Sequence, residues 1–405
     1  FFNESILLAK DDIIEMDLNL DEVLFVVFHS GMGQDFSVPF IDPTSHDLKS
    51  AYVDDEMFGG NYIEVLGEKI NRGIILPETQ NMLYYDVVQD IFPDADDLCD
   101  IQVGLTGTFA LLMGYALELP PLFNTESGIA GVGVFGLMDH GSNNGRGVIP
   151  APPTAWTRIK QKWATETIIR ESGEYNISPR NKFEEIYRID IATNEYFLIE
   201  YRNNWIFENS DIDSLRLRDE HKISDQQLGH WFDTVLSPFS PADQFEIIDG
   251  VFTKFNNYDF GLPGSGLLIW HIKDPGEENL LSGINNDRNN QAIQLEEADG
   301  ARDIGYSSSH PLFTQHVNGW EFDLWYKNNF YYFEYGNPEE TEIIFDKDTR
   351  PNTDATDGAL SGIRIKVLNN PSAEMIFSVE FGDRIYYESS LGVCHMLCAA
   401  HVLAF

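Results

Sequence analysis

The residues with the clearest chemical potential are side-chain oxygens gathered between positions 285 and 303. This segment reads Asn285-Asn286-Asp287-Arg288-Asn289-Asn290, then Glu296-Glu297-Ala298-Asp299-Gly300, with Asp303 close behind. Carboxylate and amide oxygens are the ligands that Ca²⁺ takes in proteins, although the spacing here is not that of an EF-hand loop. We predict a calcium site with Glu297 and Asp299 as first choices. Asp287 and Asp303 are further candidates, and the alternative is a solvated acidic loop that binds no ion.

Two other groups of potential ligands give weaker signals. An aspartate cluster between two predicted strands comprises Asp346, Asp348, Asp354 and Asp357. Aspartate next to glycine commonly serves in turns, so we expect turns there. The tail carries a second group, formed by Cys394, His395, Cys398 and His401. Its Cys-x3-Cys spacing lacks a balancing glycine turn, so we expect an incidental tail and no metal cluster.

Zinc-dependent peptide hydrolysis would require histidines that bind the metal. In an H-E-x-x-H motif, two histidines one helical turn apart hold zinc while the adjacent glutamate activates water. None of the ten histidines in this chain is followed by glutamate, so the motif is absent. His271 lies in an apolar run, and we predict a hydrogen-bonded structural role for it. Asp139-His140 is an acid and histidine pair, but two side chains are too few for a zinc site.

The elements that must position these residues differ between the two halves of the sequence. In the first half, Val23 to Phe28 and Asn61 to Leu66 are predicted strands. Glu78 to Phe92 and the apolar stretch Gly104 to Leu119 are predicted helices. The second of these ends at Pro120-Pro121, as helices commonly do before proline, and we expect it to be buried.

From about residue 165 the sequence changes to short runs rich in β-branched and aromatic residues. The predicted strands are Ile186 to Ile191, Tyr196 to Tyr201, Gly266 to Ile272, Ile363 to Val367 and Met375 to Phe381. We therefore predict an α+β chain with a first domain at 1–165 and a β-rich, sandwich-like domain with acidic loops at 166–384. Residues 385–405 form a tail that matches nothing before it.

Charge and hydropathy argue against several classes of partner. The 405 residues include 66 Asp plus Glu against 26 Lys plus Arg, a formal net charge of -40. Such a field repels phosphate backbones and attracts divalent cations, so we expect no nucleic-acid partner. The chain has no apolar run of about eighteen residues, so we predict no membrane span. Its three cysteines do not make a disulfide framework.

Three blocks of sequence carry a resemblance to a known family. The first is Gly131-Val-Gly-Val-Phe-Gly-Leu-Met-Asp-His-Gly, followed by Pro150 to Trp163. The second is Gly261-Leu-Pro-Gly-Ser-Gly-Leu-Leu-Ile-Trp-His-Ile, and the third runs from Asn285 to Gly305. Together with weaker echoes, they cover roughly residues 23 to 381 and resemble the immune inhibitor A family of zinc metallopeptidases. The first block resembles that family's Met-turn, which places Met138 in the turn.

The resemblance implies a zincin-like first domain, in which an H-E-x-x-H helix precedes the Met-turn. Here that helix corresponds to the one ending at Leu119, which places the motif at Leu111 to Tyr115. Leu111 and Tyr115 then replace the zinc-binding histidines, and Leu112 replaces the general base. Leucine has no lone pair, and a neutral tyrosine is a poor zinc ligand. The resemblance thus implies a degenerate active site in which zinc is not expected.

Three functional interpretations follow. The preferred one is a catalytically inactive pseudopeptidase that serves as an exported binding or structural module, with a peptide or protein as partner. The first alternative is an active, secreted zinc-dependent endopeptidase whose unusual ligand set recruits His140 or His29. The second is a calcium-stabilised surface structural protein, which the resemblance supports because relatives carry structural calcium. Family and acidity predict a secreted or extracellular location, and we expect any signal segment to lie outside a chain that begins at Phe1.

Overall fold

A computed structural model describes residues 1–35, 46–80, 82–83, 100–101, 104–145, 147–205, 245–248, 251–255, 257–276, 283–306, 317–382, 385–387 and 394–396. The described chain mixes a few helices with several small sheets. It forms two compact units. The first contains the described residues of Phe1–Pro120 and Ser142–Pro150, and the second those of Pro121–Gly141, Ala151–Lys222 and Ser240–Phe405. The predicted domain limits at 165 and 384 remain predictions.

The regular elements are short. The α-helices are α1 Phe2–Leu8, α2 Lys10–Glu15, α3 Asp55–Phe58, α4 Leu105–Ala116 and α5 Ala155–Lys160. The strands of the first unit are β1 Phe25–Met32, β2 Ala51–Val53, β3 Ile63–Val65, β4 Glu68–Ile70, β5 Gly73–Thr79, β6 Met82–Leu83 and β7 Asp100–Ile101. The strands of the second unit are β8 Thr167–Ile168, β9 Gly173–Ile177, β10 Tyr187–Ala192, β11 Glu195–Arg202, β12 Phe245–Ile248, β13 Val251–Phe255, β14 Gly266–Lys273, β15 Ile293–Leu295, β16 Ile344–Phe345, β17 Ile363–Val367, β18 Met375–Phe381, β19 Ile385–Tyr387 and β20 Cys394–Met396. In the described part of the chain, no helix combines the length and apolar character that a membrane crossing requires.

The first unit is organised around a three-stranded sheet in the order β1-β5-β2. β1 and β5 run parallel, and β2 runs antiparallel to β5. Helix α4 contributes Leu112 to a small core with Ile74 and Leu76 of β5. The start of α4 lies so close to the Ser142–Pro150 segment that a Cβ at Gly107 would stand 1.8 Å from the Ser142 carbonyl oxygen. Only glycine fits at that position without a backbone shift.

Two sequence predictions for this unit need correction. The predicted helix from Glu78 is wrong at its start, because Thr79 still pairs with Met32 in the parallel ladder and Met82–Leu83 form β6. The rest of that prediction lies outside the described residues. The apolar stretch after Gly104 is helical, as predicted, but it is only partly buried. Phe109 of α4, for example, is 39% exposed.

The second unit contains two larger sheets that share one core. A five-stranded sheet has the order β15-β14-β11-β10-β8, and a four-stranded antiparallel sheet has the order β16-β17-β18-β9. Side chains of both sheets form a single apolar cluster, in which the rings of Phe197 and Phe345 meet at 5.1 Å. The five strands predicted for this half are all present, and those at 363–367 and 375–381 have the predicted bounds.

Candidate metal centre

The acidic segment after β15 is held in place by backbone hydrogen bonds to neighbouring elements. The N–H of Glu296 donates to the carbonyl of Ile269 in β14 at 2.9 Å, and Trp325 Nε1 donates to the Glu296 carbonyl at 2.7 Å. The N–H of Ala298 donates to the carbonyl of Asp323 at 3.0 Å. Two segments far apart in sequence are thereby placed side by side, and both carry carboxylates.

Three of these carboxylates converge. Oxygen atoms of Glu297, Asp303 and Asp323 lie within 4.8 Å of one another, and no other such group of three or more His, Cys, Asp or Glu side chains occurs in the described residues. Glu297 and Asp323 are buried, and Asp303 is half-buried. We call these three residues the acidic cluster.

Hydrogen bonds fix the acidic cluster without using all of its oxygens. The N–H of Asp303 donates to Glu297 Oε2 at 2.6 Å, and the N–H of Trp320 donates to Asp323 Oδ2 at 2.8 Å. By contrast, Oδ1 of Asp303 and Oδ1 of Asp323 are buried and have no hydrogen-bond partner among the described residues. A buried acceptor without a partner is energetically costly. These two oxygens therefore indicate a binding partner, either a hydrogen-bond donor or a cation.

The charges of the acidic cluster oppose one another. Two carboxylates at this separation repel by on the order of 3 kcal/mol at an effective dielectric constant near 20. Burial, together with Asp303 and Asp299, raises the pKa of Glu297 well above its ordinary value. Burial, Glu297 and Asp299 do the same for the pKa of Asp323, and burial and Asp299 raise the pKa of Asp303 to about 6. Either protons or a bound cation must relieve this repulsion.

The donor set fits Ca²⁺. It consists only of carboxylate oxygens, which hard cations prefer, whereas zinc sites favour histidine and cysteine. The three oxygens lie within 4.8 Å of one another, so one Ca²⁺ ion at about 2.4 Å from each could contact all three. Glu297, Asp303 and Asp323 are therefore the residues that would hold the ion. A Ca²⁺ ion held there would neutralise the charge of the three carboxylates.

The four residues predicted as calcium ligands are placed differently. Glu297 and Asp303 belong to the acidic cluster. Asp299 lies beside it, and its oxygens accept hydrogen bonds from Trp320 Nε1 at 3.0 Å and from the N–H of Ala301 at 2.9 Å. Asp287 lies apart, where its side chain caps a short 3₁₀ turn by accepting from the N–H of Asn289.

Asp323 was missed by the sequence reasoning. It lies twenty residues beyond Asp303, in the run Trp320-Glu-Phe-Asp-Leu-Trp-Tyr326. An aspartate inside an aromatic and apolar run is an unusual choice, because an ionised carboxylate is costly to bury. The charged Asp323 within this apolar run was the sequence feature that could have identified it as a candidate ligand.

A second buried charged group in the same unit is balanced. Arg202 Nη2 contacts Asp259 Oδ1 at 2.6 Å, and Arg158 Nη2 contacts Glu200 Oε2 at 2.7 Å. Arg180 also contacts Asp259, at 3.2 Å, and Trp270 Nε1 donates to Glu200. Burial alone would raise the pKa of Glu200, but Arg158 and Arg202 lower it to about 2. We call these residues the arginine network.

The positions that the resemblance assigns to zinc binding carry an apolar helix face. Leu112 is buried against Ile74 and Leu76, and Leu111 is half-buried. The ring of Tyr115 packs near that of Tyr52, with centroids 6.4 Å apart. Neither leucine side chain offers a donor atom to a metal.

The segment that resembles a Met-turn in sequence is fixed by a buried aspartate. Asp139 Oδ2 accepts from the N–H groups of Gly131, Val132 and Gly133 at 2.8, 2.6 and 3.0 Å, while Oδ1 accepts from the N–H of His140. Met138 is fully buried. Asp139 therefore organises a glycine-rich loop. Neither His140 nor His29 joins a group of three metal-type ligands within the described residues.

His271 is hydrogen-bonded, as predicted, and its structural role stays a prediction. Its Nδ1 contacts Glu296 Oε1 and its Nε2 contacts Glu195 Oε1, each at 2.8 Å. Burial opposes the charged form, but the two carboxylates raise the pKa of His271 to about 9. Of the aspartates predicted to lie in turns, Asp346 and Asp357 accept hydrogen bonds from N–H groups two residues ahead, as the prediction required. Of the tail group, Cys394 and His395 lie in β20, and Cys398 and His401 lie outside the described residues.

Comparisons of the chain with protein-family models, with curated proteins and with solved structures found no match.

Proposed function

We propose that this chain is a non-catalytic, calcium-stabilised binding module. The observation that carries the proposal is the acidic cluster, in which buried carboxylates converge and Oδ1 of Asp303 and of Asp323 lack a partner among the described residues. An isolated buried charge is costly unless it is paired or bound to a metal. The 66 acidic residues also favour a setting in which divalent cations are abundant, such as the outside of a cell.

The proposal includes descent from a zincin-type metallopeptidase of the immune inhibitor A family. What supports this part is the order of the three sequence blocks and the apolar face at Leu111, Leu112 and Tyr115. An apolar helix face can be packed without a metal, whereas a vacated ligand set would leave polar atoms without partners. On this proposal, the chain retains a peptidase framework and no longer hydrolyses peptides.

Calcium titration tests the first part. We expect chelator-treated protein to bind one Ca²⁺ per chain with high affinity by isothermal titration calorimetry. At a free concentration about 100 times Kd, the ion would stabilise the folded state by about 2.7 kcal/mol. Asp323→Asn should weaken the affinity about tenfold or more, because it removes a charge from the ligand set.

Asp357→Asn is the matched control, since Asp357 is exposed and only accepts a hydrogen bond in a turn. Mg²⁺ in place of Ca²⁺ tests selectivity. Equal affinity in wild type and Asp323→Asn would show that the ion binds elsewhere, and no saturable binding would refute the calcium site. For the second part, stoichiometric zinc together with chelator-sensitive cleavage of a protein substrate would show that the chain is an active peptidase.

A further inference from the structure

A polar cleft of about 490 Å³ opens beside the acidic cluster in the second unit. Glu297 and Gly300 line one side of the cleft, and residues 350–352 and 354–356 line another. His271 of β14 lines the side formed by the sheet. Binding pockets in proteins commonly enclose roughly 300–1,000 Å³. The cleft is thus large enough for a small organic ligand.

Three cations that line the cleft keep their charge available. Lys273 Nζ donates to the side-chain oxygen of Asn290, and Arg302 Nη2 donates to that of Gln294 at 3.0 Å. Arg350 is held through its backbone, whose N–H donates to Asn337 Oδ1 at 2.7 Å. None of the three forms an ion pair with a carboxylate of the described residues. Neutral partners therefore position the charges of Lys273 and Arg302, in a protein that is otherwise strongly negative.

The acidic side chains that line the cleft differ from one another in their partners. Glu296 is paired with His271, and Glu297 belongs to the acidic cluster. Asp354 has a buried Oδ1 without a hydrogen-bond partner among the described residues. The cleft thus offers uncompensated cations for an anion and an acceptor that requires a hydrogen-bond donor.

The lining also limits the ligand class. Its apolar side chains are few, namely Leu295, Ala301, Pro351 and Ala355, and no aromatic ring is among them. Its amides both donate and accept hydrogen bonds, as hydroxyl groups do. A sulfate dianion, or the dianion of a phosphate monoester group, only accepts hydrogen bonds, so either group would leave Asp354 without a donor.

We propose that this cleft binds an acidic sugar, whose carboxylate contacts Lys273, Arg302 and Arg350 and whose hydroxyl groups contact Asp354 and the amides. The inference rests on the proposed binding role of the chain and names its ligand class. It does not require the sugar to contact the calcium ion.

Trigalacturonate is the probe, titrated into the full chain in excess Ca²⁺. We expect saturable binding that weakens about tenfold or more in Arg350→Gln and in Lys273→Gln, because each removes a charged hydrogen bond. Arg364→Gln is the matched control, since Arg364 is exposed, pairs with Asp346 and does not line the cleft. It should bind trigalacturonate as the wild type does.

Four outcomes would overturn the inference. Equally tight binding of neutral galactotriose would remove the role of charge, and tighter binding of triglutamate would identify an acidic peptide as the ligand. Equal binding of trigalacturonate to wild type and to both cleft variants would place its site elsewhere, and no binding at about 10 mM, a weak-affinity limit, would exclude it as a ligand. Intact calcium binding in that last case leaves the proposed function standing. Trigalacturonate binding without any calcium binding would instead refute the calcium site alone.

Discussion

The arginine network and the acidic cluster bury charge in the same unit by opposite means. In the network, Arg158 and Arg202 contact Glu200 and Asp259 directly, so the protein supplies its own counter-charges. In the acidic cluster, no Lys, Arg or His of the described residues forms an ion pair with Glu297, Asp303 or Asp323. The carboxylates of the network have cationic partners within the chain, whereas those of the acidic cluster have none among the described residues and are relieved either by protons or by a cation.

The protonation behaviour of the two regions shows the same difference. Glu200 stays ionised because its neighbours are cations, with its pKa lowered to about 2 against the effect of burial. Glu297 is also buried, but burial and its anionic neighbours raise its pKa. Burial alone therefore does not decide whether a carboxylate stays ionised in this fold. The sign of the charge on its neighbouring groups decides it.

The largest effect should come from breaking the arginine network. Arg202→Met removes the cation between Glu200 and Asp259 and leaves buried carboxylates without their partner. We expect a loss of about 3–5 kcal/mol in the free energy of unfolding, measured by urea denaturation of the second unit. Arg364→Met, at an exposed pair with Asp346, should cost about 0–1 kcal/mol. Similar losses in both variants would contradict the distinction between buried and exposed pairs.

A pH effect of intermediate size should come from His271, a cation held between two acids. Its folded pKa of about 9 lies above its ordinary 6.5, so its stabilisation is complete below pH 6.5 and is lost as the pH rises through 9. This shift corresponds to about 3 kcal/mol. In excess Ca²⁺, the stability difference between wild type and His271→Gln should shrink by about that amount between about pH 6 and pH 9.5. His46→Gln, at an exposed histidine, should keep the wild-type profile, and a constant difference would contradict the pairing.

The smallest expected effect is a gain in stability, and it distinguishes the acidic cluster from the arginine network most clearly. In chelator, Asp323→Asn relieves repulsion in the acidic cluster, so the variant should be more stable than the wild type by about 1 kcal/mol. In excess Ca²⁺ the order should reverse, because the variant has lost a ligand. Thermal unfolding with and without chelator measures both. A variant that is less stable than the wild type in chelator would show that the acidic cluster needs no external counter-charge.

The sequence predicted the strands of the second unit well because their pattern is local. In β17 and β18, every second residue is apolar and faces one shared core, so period and burial agree. The first unit was harder. Helices α1 and α2 begin after Phe1 and Ala9 without a side-chain cap, so they carry no start signal in the sequence.

The candidate site was predictable only in part, for a related reason. Glu297 and Asp303 lie close together in sequence, and their residue types alone suggest a cation. Asp323 reaches them through the hydrogen bond between Ala298 and its carbonyl, which is a tertiary feature without a local pattern. Asp287 was a reasonable candidate by type, but its side chain is used by the turn that it caps.

Strand β11 has a consequence for how the second unit assembles. Its first residue, Glu195, reaches His271 and Thr356, while Glu200 and Arg202 near its other end belong to the arginine network. Successive side chains point to opposite faces of a sheet, so a slip of one residue would turn both ends to the wrong side at once. Such a misaligned sheet would bury charged side chains without their partners near both ends of β11. Only one alignment of this central strand is therefore compatible with a folded unit.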